Sequence, residues 1–155
     1  MNKAFYLPKG YNSVIPALAF HGAGEAIKWY TNVFGAKEKM RFNNPDGTIA
    51  HAEITIGDNV IMLAEENPEF NHSPRTLKGN SVNLFIYVPD VDATIKKALN
   101  NRANLVKPAE DQFYGDRTGR IEDPFGYLWI VSTHVKDVSE KEMKKAMDEM
   151  AHEHA

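Results

Sequence analysis

Residues 114–129 read YGDRTGRIEDPFGYLW, and their reading decides how the rest of the chain is divided. "RTGRIE" (117–122) has the length of a strand. "DPFG" (123–126) puts Asp first, Pro second and Gly fourth, the order a type I turn asks for, and "YLWIVST" (127–133) is a second apolar strand. A hairpin is predicted. The same Pro and Gly slots occur in "NPDG" (44–47), between "EKMRF" (38–42) and the alternating "TIAHAEITI" (48–56), so the two turns read as counterparts.

Working outward, a common order emerges in both halves. "YNSVIPALAF" (11–20) is apolar and β-branched, and its Pro16 suits an edge strand or a bulge. "GAGEAIKWYTNVFGA" (22–36) is helical, with Ile27, Tyr30 and Phe34 spaced by three and four and Gly35 as the stop. After the NPDG hairpin, the turn "GD" (57–58) leads into the strand "NVIMLAEE" (59–66). Polar, aperiodic "NPEFNHSPRTLKGNS" (67–81) reads as a linker. "VNLFIYV" (82–88) is then a strand and "DVDATIKKALNNRA" (90–103) a helix opened by Asp. "LVKP" and "QFYGD" suggest a short strand and a loop before the final hairpin. "SEKEMKKAMDEMAHE" (139–153) is a capped terminal helix with Met143, Met147 and Met150 in an apolar stripe.

Strand–helix–strand–strand–strand therefore occurs twice. Setting Ile27 on Ile95 gives an offset of 95 − 27 = 68, and the same offset sets Met62 on Ile130. The expected fold class is α+β: a first βαβββ module at 11–66, a linker at 67–81, a second module at 82–133 and a C-terminal helix within 134–155, all in one domain spanning 1–155.

Composition narrows the function. The chain of 155 residues is 43% hydrophobic and 25% charged, as expected of a globular protein with a core. A net charge of -3 argues against a basic nucleic-acid or membrane surface. Without cysteine there is no disulfide, thiolate metal site or Cys nucleophile. The opening "MNKAFYLPKGYNSVIPAL" has no apolar run of signal-peptide length, so the cytoplasm is the expected compartment.

"AIKWYTNVFGA", "HAEITIGDNVIMLAEE" and "YGDRTGRIEDPFGYLW" with the following "STH", in this doubled order, resemble the vicinal-oxygen-chelate superfamily of glyoxalases, bleomycin-resistance proteins and extradiol dioxygenases. The closing "GDRTGRIEDPFGYLWIVSTH" with its helix is similar to the PhnB-like branch. The resemblance implies curved mixed sheets that form half-barrel cavities, homodimers, and, in metal-dependent members, one ligand on the first and last strand of each module. Those slots fall on Ile15, Met62, Asn83 and Ile130, where 15 + 68 = 83 and 62 + 68 = 130. Two Ile, a Met and a neutral Asn do not make a divalent-metal site. No cofactor is therefore expected. A relocated site led by His51 and Glu53, which share a strand face, with His134 as a third donor, is the alternative. Glu65, Glu66 and Glu69 read as solvating the linker.

Alternation from the four slots gives the implied cavity wall. It holds Ile15, Ala17 and Ala19; Val60, Met62 and Ala64; Asn83, Phe85 and Tyr87; and Leu128, Ile130 and Ser132. Phe85 and Tyr87 offer stacking surfaces. Tyr114, Arg117 and Arg120 remain as rim groups able to anchor a ligand carboxylate or phosphonate, with Asp116 paired to one of the two arginines. Trp129 points toward the helices, and Trp29 lies at a helix margin or subunit contact. The expected function is metal-free binding of a small molecule. A metal-dependent lyase, isomerase or dioxygenase and a ligand-free structural dimer are the alternatives.

Overall fold

The structure is a computed structural model and describes residues 5–154. Its contacts divide the chain into two compact units between Asn80 and Ser81. The first unit runs β1 (Ala17–Phe20), α1 (Ala23–Phe34), β2 (Lys37–Asn43), β3 (Ile49–Ile56), β4 (Asn59–Glu65) and a one-turn α2 (Pro74–Leu77). The second runs β5 (Asn83–Tyr87), α3 (Val91–Asn100), β6 (Asn104–Asp111), β7 (Asp116–Glu122), β8 (Leu128–His134) and α4 (Glu140–Glu153). Each unit has one four-stranded mixed sheet, in the orders β1-β4-β3-β2 and β5-β8-β7-β6. In both, the first and last strands are parallel neighbours and the other pairs are antiparallel. The α+β class and the doubled βαβββ order are as the sequence implies.

The 68-residue offset holds in the two parallel ladders. Ala17 is registered with Met62, and Phe85 with Ile130, where 17 + 68 = 85 and 62 + 68 = 130. Each sheet packs one face on its helix. In the first unit Phe20 meets Tyr30 edge-on at 6.0 Å between ring centroids, and Ile54 and Leu63 are buried on the same side. Burying side chains of this size contributes about 1.5–3 kcal/mol each. In the second unit Ile121, Trp129 and Val131 form that layer. Gly119 lets α3 approach closely, since a Cβ there would lie 2.5 Å from Ile95 Cδ1.

Several local expectations are corrected. β1 begins at Ala17 rather than at residue 11, because Pro16 cannot donate to the ladder, although its carbonyl accepts from Met62 N–H. The 67–81 segment is not structureless: Ser73 caps α2, whose first residue is Pro74. β6 runs over eight residues, and as an edge strand it tolerates Pro108 within the register shift between Lys107 and Glu110. NPDG and DPFG share the same closure, Gly47 N–H to Asn44 O and Gly126 N–H to Asp123 O, but they are not counterparts. NPDG joins β2 to β3, whereas DPFG joins β7 to β8; the first-unit equivalent of DPFG is the Gly57–Asp58 turn. Trp29 is not at a margin: it is 5% exposed and edge-to-face with Tyr30 and Phe34.

Two acidic groups do structural work that composition disguised. α1 starts at Gly22 with no side-chain cap of its own, and the Glu65 carboxylate at the end of β4 accepts from the Gly22 and Ala23 N–H groups. Glu66 accepts from Ser73 N–H and Thr76 Oγ1, and these bonds, the Ser73 backbone donor foremost, lower its pKa from 4.5 to about 2. Both glutamates thus hold structure together rather than solvate a linker.

Candidate functional site

Each sheet leaves the face opposite its helix for other uses. On that face of the first sheet, Ala17, Met62, Glu53 and Met40 form one row across the four strands. Glu53 is 4% exposed, and its Oε2 accepts from Tyr11 Oη at 2.6 Å while Oε1 lies 3.2 Å from His51 Nε2. A register shift between Glu38 and Met40 frees Lys39, whose Nζ reaches Glu53 Oε2 at 3.6 Å and sits 3.5 Å from the centroid of the Tyr11 ring. Burial alone pushes the Glu53 carboxyl up. The bonds from Tyr11 and His51 and the charge of Lys39 outweigh it and hold the group below the ordinary carboxylate range. The result is an ionised, fully partnered carboxylate.

The second sheet carries the matching row Phe85, Ile130, Arg120 and Lys107. Phe85 and Tyr87, on the same face one pleat apart, are 48% and 62% exposed, with ring centroids 5.1 Å apart. Beyond them, Asp116 is 3% exposed, and its Oδ2 accepts from Tyr87 Oη at 2.7 Å while Oδ1 lies 2.7 Å from His134 Nδ1. Burial raises the Asp116 carboxyl, but His134 and Tyr87 together bring it below the ordinary range. His134 is raised in turn by hydrogen bonds to Asp137 and then Asp116. Hydrogen bonding to Asp116, followed by burial, raises the Tyr87 phenol. Ser132 Oγ, wholly buried, lies 2.7 Å from Thr118 Oγ1, which leaves no open hydroxyl nucleophile at this spot.

The sequence-derived site residues separate accordingly. Asn83, Phe85, Tyr87, Arg120 and Ile130 share the helix-free face of the second sheet, and Met62 lies on that of the first. Tyr114 is half-buried in the β6–β7 turn, and the electrostatic effect of its phenol reaches Tyr87. Arg117 is on the opposite face: its guanidinium donates to both Asp92 carboxylate oxygens at 2.8 and 3.0 Å and to Asp111 at 3.2 Å. Asp116 therefore pairs with His134, not with an arginine. By contrast, the Arg120 side chain is exposed and makes no hydrogen bond or ion pair with any described residue. In the ladders Ala17 stands across from Met62 and Phe85 across from Ile130; Ile15 precedes β1, and Asn83 is one pleat before Phe85 on the same face.

Sequence reasoning missed Tyr11, Lys39 and Asp123. Tyr11 precedes β1 and Lys39 is a bulged residue, so neither had a periodic signal. Asp123 was assigned only to its turn. It is buried, and it accepts from Phe125 N–H, Tyr127 N–H and Trp129 Nε1, so one carboxylate organises the whole "DPFGYLW" run.

The metal chemistry of the resemblance finds no fit. The registered rows offer Ala17 with Met62 and Phe85 with Ile130, none of which is a donor for a hard or borderline divalent cation. At the relocated site, both Glu53 oxygens are engaged and the Lys39 ammonium already stands where a cation would. Among the described residues, no group of three or more His, Asp or Glu is placed to hold a metal ion. No described helix is long and apolar enough to cross a membrane.

Comparison with known proteins agrees with this architecture. Residues 17–131 match the model of the Glyoxalase/Bleomycin resistance protein/Dioxygenase superfamily. The Mycobacterium tuberculosis (strain H37Rv) protein Rv0887c is 37% identical over 143 residues, covering 87% of this chain and 84% of that one. Among solved structures, TioX from Micromonospora sp. ML1 superposes with a TM-score of 0.62 at 25% identity, covering 80% of this chain and 99% of that chain. A Bacillus cereus PhnB protein, described as a putative 3-demethylubiquinone-9 3-methyltransferase, gives 0.63 at 18% identity over 79% of this chain and 99% of that one; this likeness is one of fold. The chain belongs to the Glyoxalase/Bleomycin resistance protein/Dioxygenase superfamily.

Proposed function

We propose that this member of the superfamily is a metal-free binding protein that holds a small, partly aromatic molecule against the helix-free face of its second sheet. The observation that carries the reading is the open pair Phe85 and Tyr87, 48% and 62% exposed, beside Ile130, in the region where the family places metal ligands. Large aromatic faces left in water are favourable stacking surfaces for a planar ligand. The bond to Asp116 fixes the Tyr87 ring in advance, so less ordering is required when a ligand binds. Asn83, Tyr114 and Arg120 supply sparse polar groups for orientation.

Binding rather than turnover is the role these residues support. Glu53, held ionised by its donors, is a reluctant proton acceptor, and Ser132 is sealed in the sheet. Following the family resemblance, we take the working unit to be a homodimer.

The test uses 2-naphthoate and its neutral analogue 2-naphthamide as probes, titrated into the protein and followed by probe fluorescence. Saturable binding of a probe, weakened about tenfold or more in Phe85→Ala, supports the reading. If neither probe binds saturably, or if Phe85→Ala binds as the wild type does, the reading is overturned.

A further inference from the structure

We infer that the ligand of this face is an aromatic oxyanion, its ring lying on Phe85 and Ile130 and its carboxylate or phosphoryl group paired with Arg120. The inference rests on the binding reading above and specifies the ligand class.

Three observations carry it. The first is placement. Phe85 on β5, Ile130 on β8 and Arg120 on β7 stand in one registered row. Neighbouring strands are about 4.8 Å apart, so the aromatic and the guanidinium are separated by about 10 Å at the backbone. That is the span of a one- or two-ring aromatic acid with its oxyanion at one end. The second is availability. Arg117, three residues away in sequence, is tied to Asp92 and Asp111, and Lys107, next in the row, lies 3.2 Å from Glu110. Arg120 alone in this row keeps its donors unengaged by any described residue. An unpaired guanidinium beside apolar surface is suited to bidentate recognition of a carboxylate or phosphoryl group.

The third is the surrounding charge. Asp116 would oppose an anion on this face, but it is buried and paired with His134. Glu122 lies one row away on the same face and makes no ion pair with Arg120. The acidic groups of the face are thus either paired or displaced from the row. A neutral ring alone would satisfy Phe85 and leave the guanidinium without a partner, whereas an aromatic oxyanion satisfies both.

The experiment compares 2-naphthoate, 2-naphthyl phosphate and 2-naphthamide on the full chain and on Arg120→Gln and Arg120→Lys. The Arg120 side chain is exposed and unpaired, so these variants are expected to fold as the wild type does, which their unfolding midpoints check, and in each variant the anions are compared with 2-naphthamide on the same protein. The expected result is that both anions bind about tenfold or more tightly than the amide. That advantage falls to within about twofold in Arg120→Gln and is only partly kept in Arg120→Lys, which retains charge but loses the fork. Equal affinity for anions and amide in the wild type overturns the inference while leaving aromatic binding intact. So does an anion advantage that survives Arg120→Gln. If none of the three probes binds, the inference falls together with the binding reading.

Discussion

At the same point of two equivalent sheets, one unit places a carboxylate and the other a guanidinium. Glu53 stands across from Met62 and Arg120 across from Ile130, and 62 + 68 = 130. Around Glu53 the first unit has closed up: Tyr11, His51 and Lys39 all reach it, and it is 4% exposed. Around Arg120 the second unit stays open, with Phe85 and Tyr87 exposed beside it. The ladders and the helix-packing faces follow one plan because strand pairing and burial impose it. The opposite faces carry no such obligation, and there the two units diverge into a closed ion cluster and an open amphipathic surface.

The largest expected effect asks whether the second unit is as tightly built beneath its open face as the first. A Cβ at Gly115 would lie 1.9 Å from the Lys136 carbonyl oxygen, at a φ of +96°. Gly115→Ala should therefore cost about 3 kcal/mol or more in chemical denaturation. A loss within 0.5 kcal/mol would mean that the segment leading to α4 is not held as described.

Next comes the direct contrast between the two row positions. Glu53→Gln removes the charge that Tyr11, His51 and Lys39 surround and should destabilise by about 2 kcal/mol. Arg120→Gln, with no partner to lose, should stay within about 0.5 kcal/mol. Equal losses at the two sites would erase the distinction between a closed and an open row.

A smaller, local effect is expected in acid. Glu66 is ionised in the fold with a pKa of about 2, against its ordinary 4.5, so its contribution is fully present above the ordinary value and is lost as pH falls from 4.5 toward 2. Hydrogen-exchange protection of the Ser73 amide, which donates to Glu66, should decline over that interval and be low at every pH in Glu66→Gln. Protection unchanged down to pH 2 in the wild type would contradict the assignment.

How far these features could be read in advance depended on what each owes to period. The doubled βαβββ order, the stop at Gly35 and the helix-facing side of Trp129 follow from spacing alone, because backbone pairing and helical burial repeat at fixed intervals. Strand starts were less legible. An apolar run containing Pro16 does not say where pairing begins, and β1 opens only at Ala17. The Asp116–His134 pair was within reach: counting back through the DPFG hairpin from Glu122 and Leu128 arrives at it. Tyr11 and Glu53 are 42 residues apart and Lys39 sits in a bulge, so that cluster depended on tertiary geometry with no local signature. Arg117 and Arg120 looked alike in sequence, and only the pleat, which sends them to opposite faces, separates a structural ion pair from an open anchor.

The most direct test of metal-free binding is a titration of 2-naphthoate into EDTA-stripped wild-type protein, repeated after adding Zn²⁺ or Mn²⁺. Saturable binding is expected in the stripped protein, with an affinity that the added metal leaves unchanged. Binding that appears only when metal is restored, and is lost in His51→Ala, would contradict it.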